Sequence, residues 1–64
     1  MTVSDLWRVL SPGVELEIYS GGVEIANDLP FYFNKNILDR EIERIKNIKK
    51  NKLIIEVYWW LKLI

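Results

Sequence analysis

The spacing of apolar positions changes along this chain, and each change marks an element. Val3, Leu6, Trp7 and Leu10 recur at i, i+3, i+4 and i+7, which places all of them on one helical face. Thr2 or Ser4 can cap this helix, Asp5 sits in its first turn where a negative charge suits the dipole, and Ser11-Pro12-Gly13 ends it. A helix of about two turns is not stable alone, so it must pack on something. From Gly13 the period becomes two. Val14, Leu16 and Ile18 alternate with Glu15, Glu17 and Tyr19, a half-buried strand with an acidic outer face. Ser20-Gly21-Gly22 tolerates positive φ, and Val23-Glu24-Ile25-Ala26 resumes the alternation, so the pair reads as a tight hairpin.

The final stretch, Leu53 to Ile64, carries the strongest pattern. Leu53, Ile55, Val57, Trp59, Leu61 and Leu63 fall on one side and Ile54, Glu56, Tyr58, Trp60, Lys62 and Ile64 on the other. Its β-branched and aromatic composition predicts a long strand at the centre of the core. A transmembrane helix is excluded because the run falls short of the roughly 20 apolar residues a bilayer needs and contains Glu56 and Lys62.

The middle of the chain is harder to place. Asn27-Asp28-Leu29-Pro30 breaks the second strand, and Phe31-Tyr32-Phe33 is expected to fold back as a lid on the core, the alternative being an exposed aromatic patch used for binding. In residues 37–48, Leu38, Ile42, Ile45 and Ile48 recur at helical spacing, with Asn36 or Asp39 available as caps. A strand over Glu41–Ile48 needs a bulge between Ile42 and Ile45 to keep both on one face. Lys49-Lys50-Asn51-Lys52 then reads as a hairpin turn into the last strand.

With 64 residues and neither Cys nor His, the chain is expected to form a single domain over 1–64, held by apolar packing without disulfides, thiolate metal sites or imidazole chemistry. Half of its residues are hydrophobic and three are Trp, an apolar surplus that predicts burial against another subunit and hence a homo-oligomer. The N-terminus shows no signal-peptide pattern, so a cytoplasmic location is expected. The zero net charge hides a split: six acids face two bases in residues 1–39, and seven bases face three acids in residues 40–64. A basic turn around Lys46–Lys52 is expected to survive folding.

Val3-Ser-Asp-Leu6, Val14-x-Leu-x-Ile18-Tyr, the glycine turn, Leu38-Asp-Arg-Glu-Ile42-x-x-Ile45 and Leu53-x-Ile55-x-Val57 together resemble small uncharacterised proteins carried by bacteriophages and prophages of low-GC bacteria. The resemblance implies an α+β fold, a short N-terminal helix packed on a small antiparallel sheet of about four strands, and brings no catalytic residues with it. It also favours a short helical turn at Ile37–Arg40 followed by a strand, the reading adopted for the ambiguous segment. The extension Trp59-Trp60-Leu61-Lys62-Leu63-Ile64 departs from the pattern.

Little here points to catalysis. The carboxylate pairs Glu15/Glu17 and Glu41/Glu43 read as solvated strand faces, and Ser20-Gly21-Gly22 lacks the lysine and helix of a phosphate loop, so no enzyme, cofactor or metal is expected. Arg40, Arg44, Lys46, Lys49, Lys50 and Lys52 form the candidate anion site, for a phosphate-bearing ligand or a nucleic acid. The plainer account is that lysines on edges and turns keep a protein soluble and block edge pairing. Tyr58, Trp60 and Ile64, with Phe31 and Phe33, form the candidate interface. The resulting expectation is a non-enzymatic phage protein that acts on host defence as a homo-oligomer, sequestering a small anionic, nucleotide-type signal or blocking a host protein. The alternatives are a nucleic-acid-binding accessory protein and a structural or assembly protein.

Overall fold

Thr2 and Asp5 close a capping box at the start of the first helix, α1 (Val3–Val9). The Asp5 N–H donates to the Thr2 hydroxyl at 3.2 Å, and the Thr2 N–H donates to the Asp5 carboxylate at 3.0 Å. In this computed structural model, which describes residues 1–58, α1 buries Val3 and Leu6, half-buries Leu10 just beyond its end, and leaves Trp7 at its margin. Gly13, at φ 89°, turns the chain from the helix into the sheet.

The described strands are β1 (Glu15–Ser20), β2 (Val23–Asp28), β3 (Ile42–Lys49) and β4 (Lys52–Val57), in the sheet order β2-β1-β4-β3. The expected α+β fold, a short helix on a four-stranded sheet, is what the chain adopts, and a second short helix, α2 (Lys35–Leu38), precedes β3. The sheet is mixed. Both hairpins are antiparallel, but the central pair, β1 with β4, runs parallel from Glu15↔Lys52 to Ser20↔Val57. A parallel pair needs a long crossover, and everything from Gly21 to Asn51 supplies it.

Gly21 and Gly22, at φ 60° and 83°, make the two-residue turn between β1 and β2. The alternation expected of β2 holds only to Glu24. A bulge beside Ile18/Tyr19 makes Ile25 the extra residue, so Ala26, not Ile25, faces Ile18. The strand reading of residues 41–48 holds, and so does the bulge it required, which falls between Ile42 and Arg44. A second bulge between Ile45 and Asn47 repeats the device. Ile42, Ile45 and Ile48 thereby pair with Val57, Ile55 and Leu53, so an apolar spacing of three stays on one face of a strand. The short helix ahead of β3 begins two residues earlier than expected, with Asn34 as its cap: its side-chain oxygen accepts from the Ile37 N–H at 3.0 Å.

Val3, Leu6, Leu16, Ile18, Leu53, Ile55 and Val57 form the core, with Phe33, Ile37, Leu38 and Ile42 packed at its margin. The aromatic triplet divides. Pro30 is buried at the head of a 3-10 turn (Pro30–Tyr32) and Phe33 half-closes the core, while Phe31 and Tyr32 stay outside as an edge-to-face pair 5.5 Å apart. The N-terminus pins the start of β3: the Val3 N–H donates to the Arg40 carbonyl at 3.0 Å and the Ile42 N–H to the Met1 carbonyl at 2.9 Å. Of the long strand expected over Leu53–Ile64, the first half is β4, and Trp59 to Ile64 lie outside the described residues.

Ile55 is fully buried in the central pair, whereas Ile48 on the edge is 71% exposed. Ile55→Ala is expected to cost about 2–5 kcal/mol, against a total of roughly 3–10 kcal/mol for a chain of this size. Ile48→Ala should cost less than about 0.5 kcal/mol. Urea denaturation of the two variants measures the contrast.

Candidate binding site

One helix can cover only one face of the sheet, so the other face must satisfy its own polar groups. It does so with a charge network running across all four strands. Glu17 is the hub: its carboxylate accepts from the Tyr19 hydroxyl at 2.7 Å and from Asn27 at 3.5 Å, and lies 3.5 Å from the Lys52 ammonium. Asn27 also donates to Glu24 at 3.4 Å. On the far side Arg44 grips one oxygen of Glu56 with both Nε, at 2.9 Å, and a terminal nitrogen, at 2.7 Å. Lys46, the extra residue of the second β3 bulge, reaches over the Tyr19 ring, its ammonium 5.1 Å from the centroid.

This geometry decides what becomes of the six basic residues marked as an anion site. Arg44, Lys46 and Lys52 do lie on the same face, but each is engaged by a group of that face. Lys49 and Lys50 are exposed at the β3–β4 turn, close to Lys52. Arg40 stands apart, at the other end of β3, about 20 Å from that turn, since the two bulges shorten β3 to the span of β4 from Lys52 to Tyr58. Its terminal nitrogen donates to the Tyr58 carbonyl at 3.3 Å, and its Nε is buried without a hydrogen-bond partner among the described residues. A cluster in sequence is therefore distributed over the structure: Arg44 and Lys46 are exposed but held by Glu56 and the Tyr19 ring, and Lys49 and Lys50 stand exposed at the turn.

The interface residues divide similarly. Phe31 is 75% exposed, Phe33 belongs to the margin of the core, and Tyr58 is half-buried at the end of β4, its N–H donating to the Glu41 carbonyl at 3.1 Å. Trp60 and Ile64 lie outside the described residues. Phe31 belongs to a feature the sequence did not mark: an apolar groove of about 280 Å³ between the end of α1, the Ser11–Val14 loop and the Leu29–Phe31 turn. Trp7, Leu10, Pro12, Val14, Leu29 and Phe31 line it. The signal that could have found it was the pair of prolines at element breaks, Pro12 two residues from both Leu10 and Val14, and Pro30 between Leu29 and Phe31. Their proximity becomes visible only once β1 and β2 are paired, because Leu16 opposite Asp28 brings both breaks to one end of the sheet.

No group of His, Cys, Asp or Glu capable of holding a metal ion occurs among the described residues, and none of their helices is long and apolar enough to cross a membrane. What the arrangement offers chemically is surface: an apolar groove with an aromatic lip, exposed Ile45 and Ile48 along β3, and a small basic turn.

The network sets the response to pH. The Tyr19 hydroxyl, and then Lys52, hold the Glu17 carboxyl below its ordinary value of 4.5, while the same hydrogen bond raises the Tyr19 phenol above 10.0. Asp5 is likewise lowered from 3.8, by the Thr2 backbone N–H and side chain of the capping box. A lowered acid stabilises the fold above its unfolded value and loses that contribution as pH falls through the folded one. A raised phenol stabilises it below its unfolded value and loses that contribution as pH rises through the folded one. Tyr19→Phe is accordingly expected to flatten both the acid and the alkaline limbs of the stability profile, and Glu17→Gln to do the same, read by thermal melts across pH. Glu56 is only 8% exposed, so Arg44→Ala should cost about 1–3 kcal/mol by leaving its carboxylate unpaired. The paired change Arg44→Met with Glu56→Leu should recover most of that loss in urea denaturation. Comparison with protein-family models, with curated proteins and with solved structures finds no match to this chain.

Proposed function

We propose that this chain is a non-catalytic binding protein that self-associates and acts by apolar contact with a protein partner. The observation that carries this reading is how the two kinds of surface are used. Charged groups of the outer sheet face are satisfied by one another, whereas Trp7, Phe31, Tyr32, Ile45 and Ile48 remain exposed around the groove and along the β3 edge. Exposed apolar side chains gathered about a groove mark contact sites more often than scattered ones do. Blocking a host protein is the form of action this surface suits. A phage origin and a role against host defence follow from the sequence resemblance alone.

Sequestration of a small anionic ligand is the second reading, and it rests on Lys49 and Lys50, exposed beside Lys52 at the β3–β4 turn. Two exposed lysines on a turn form a shallow site, and a nucleotide-type ligand would need a second subunit to enclose it.

Native mass spectrometry of the untagged protein separates these readings. A homo-oligomer with no small molecule released on denaturation, unchanged by Lys49→Glu with Lys50→Glu, is the expected result. A phosphate-bearing molecule released from the wild type, and lost in that double variant, would replace the protein-contact reading with sequestration. Salt-sensitive retention of nucleic acid would point to the accessory-protein alternative.

A further inference from the structure

The groove and residues 59–64 are complementary in chemistry, and the groove lies at the opposite end of the sheet from Tyr58, the last described residue. β1 and β4 run parallel, so the groove, built on Ser11–Val14 just before Glu15 and on Leu29–Phe31 just after Asp28, sits at the end of the sheet where Lys52 begins β4. Tyr58 follows Val57 at the other end. The length of β4 separates them, about 17 Å at ~3.3 Å per residue. Trp59 and Trp60 can reach no more than about 7 Å beyond Tyr58, since a fully extended chain covers at most ~3.6 Å per residue. That backbone reach falls short of the length of β4 that separates Tyr58 from the groove of its own chain.

We infer that the groove receives the Trp59-Trp60-Leu61 segment of a second copy, and that two copies exchange these segments reciprocally. The inference rests on the self-association proposed above and assigns it a surface. The fit is one of chemistry and size. Five of the six residues from Trp59 to Ile64 are apolar, and the groove is lined mainly by carbon. Its 280 Å³ holds roughly nine waters at ~30 Å³ each, the bulk of one indole ring system. The neighbouring indole has the exposed Phe31–Tyr32 pair to rest on. Two tryptophans from each copy bury about 600–1,000 Å² between them, and the surfaces they cover bury about as much again, which reaches the range of a stable interface. An exchange of this kind is isologous: each copy gives a segment and receives one, so assembly closes at the dimer.

The test uses full-length chains and sedimentation or light scattering across a concentration series. Wild type is expected to dimerise. Phe31→Glu, at an exposed position on the groove lip, and Trp59→Glu with Trp60→Glu, in the segment, should each weaken the dimer by at least about tenfold while far-UV circular dichroism stays that of the wild type. The decisive sample is an equimolar mixture of the two variants. Each variant alone has lost both exchanges, but a heterodimer keeps one, from the intact segment of the Phe31→Glu chain into the intact groove of its partner. It should therefore form more tightly than either variant homodimer. A mixture no tighter than its components overturns the exchange, as does a Phe31→Glu chain that dimerises like wild type. Unfolding of the double Trp variant, or of either single Trp→Glu change, would place those indoles in the chain's own core and overturn it too. A wild type that stays monomeric throughout the series removes the self-association reading itself, whereas a wild-type dimer indifferent to Phe31 removes only the exchange.

Discussion

The parallel pairing of β1 with β4 is the contact on which the rest of this fold depends. It places Leu16 and Ile18 beside Leu53, Ile55 and Val57, and these five residues with Val3 and Leu6 of the helix are the buried core among the described residues. So small a core leaves no margin for unpaired polar groups or for large apolar surface left in water. A seven-residue helix can cover the middle of a four-stranded sheet but not its borders, which accounts for two features at once. Ile45 and Ile48 face the core side from β3 yet stay 49% and 71% exposed, and a groove opens where α1 ends and the chain must still reach β1.

The same constraint shapes the outer face. No element among the described residues covers it, so its polar groups must be satisfied within the face itself while still supporting the strands beneath. Glu56 shows how this is done: it stands on the central strand, flanked by Tyr19 of β1 and Arg44 of β3, and is more buried than many apolar residues of the chain. A carboxylate in that position is tolerable because one guanidinium donates to it twice. The bulges of β3 contribute here as well as to the core. By adding Glu43 and Lys46 as extra residues they keep three isoleucines on the inner side, and the second of them supplies the lysine that lies over Tyr19. They also kink a free strand edge, which with its lysines discourages edge-to-edge pairing and directs association toward side-chain contacts.

Local chemistry made much of this legible in the sequence. The glycine turn and the apolar spacing of α1, β1 and the start of β4 are each decided by neighbours in the chain, and they stand where the sequence placed them; the cap is Thr2, one of the two residues the sequence offered, and its reciprocal bond with Asp5 was not foreseen. The isoleucine spacing in β3 was readable as a strand only because a bulge could be invoked, and helical propensity argued the other way. What could not be read was decided between distant segments. Nothing local distinguishes a parallel from an antiparallel partner for Glu15–Ser20, because an alternating strand suits either. The β2 bulge depends on the register against Ile18, and the groove depends on Pro12 and Pro30 arriving at the same end of the sheet.

That long-range pairing also explains why the charge split along the chain does not become a split across the surface. The acidic first half supplies β1 and β2, the basic second half supplies β3 and β4, and the central parallel pair is where the halves meet. Glu17 meets Lys52 there, Tyr19 meets Lys46 across β4, and at the end of the sheet the Met1 ammonium lies 3.1 Å from Glu41. Opposite charge on the two segments favours the pairing that closes the long loop from Gly21 to Asn51. Once formed it sets opposite charges against each other across the described sheet, while Lys49 and Lys50 stand exposed at the β3–β4 turn. Charges paired in this way exert little long-range attraction on nucleic acid, whose binding draws on a concentrated basic field. The apolar shape that the described fold does present at short range is the groove and its aromatic lip.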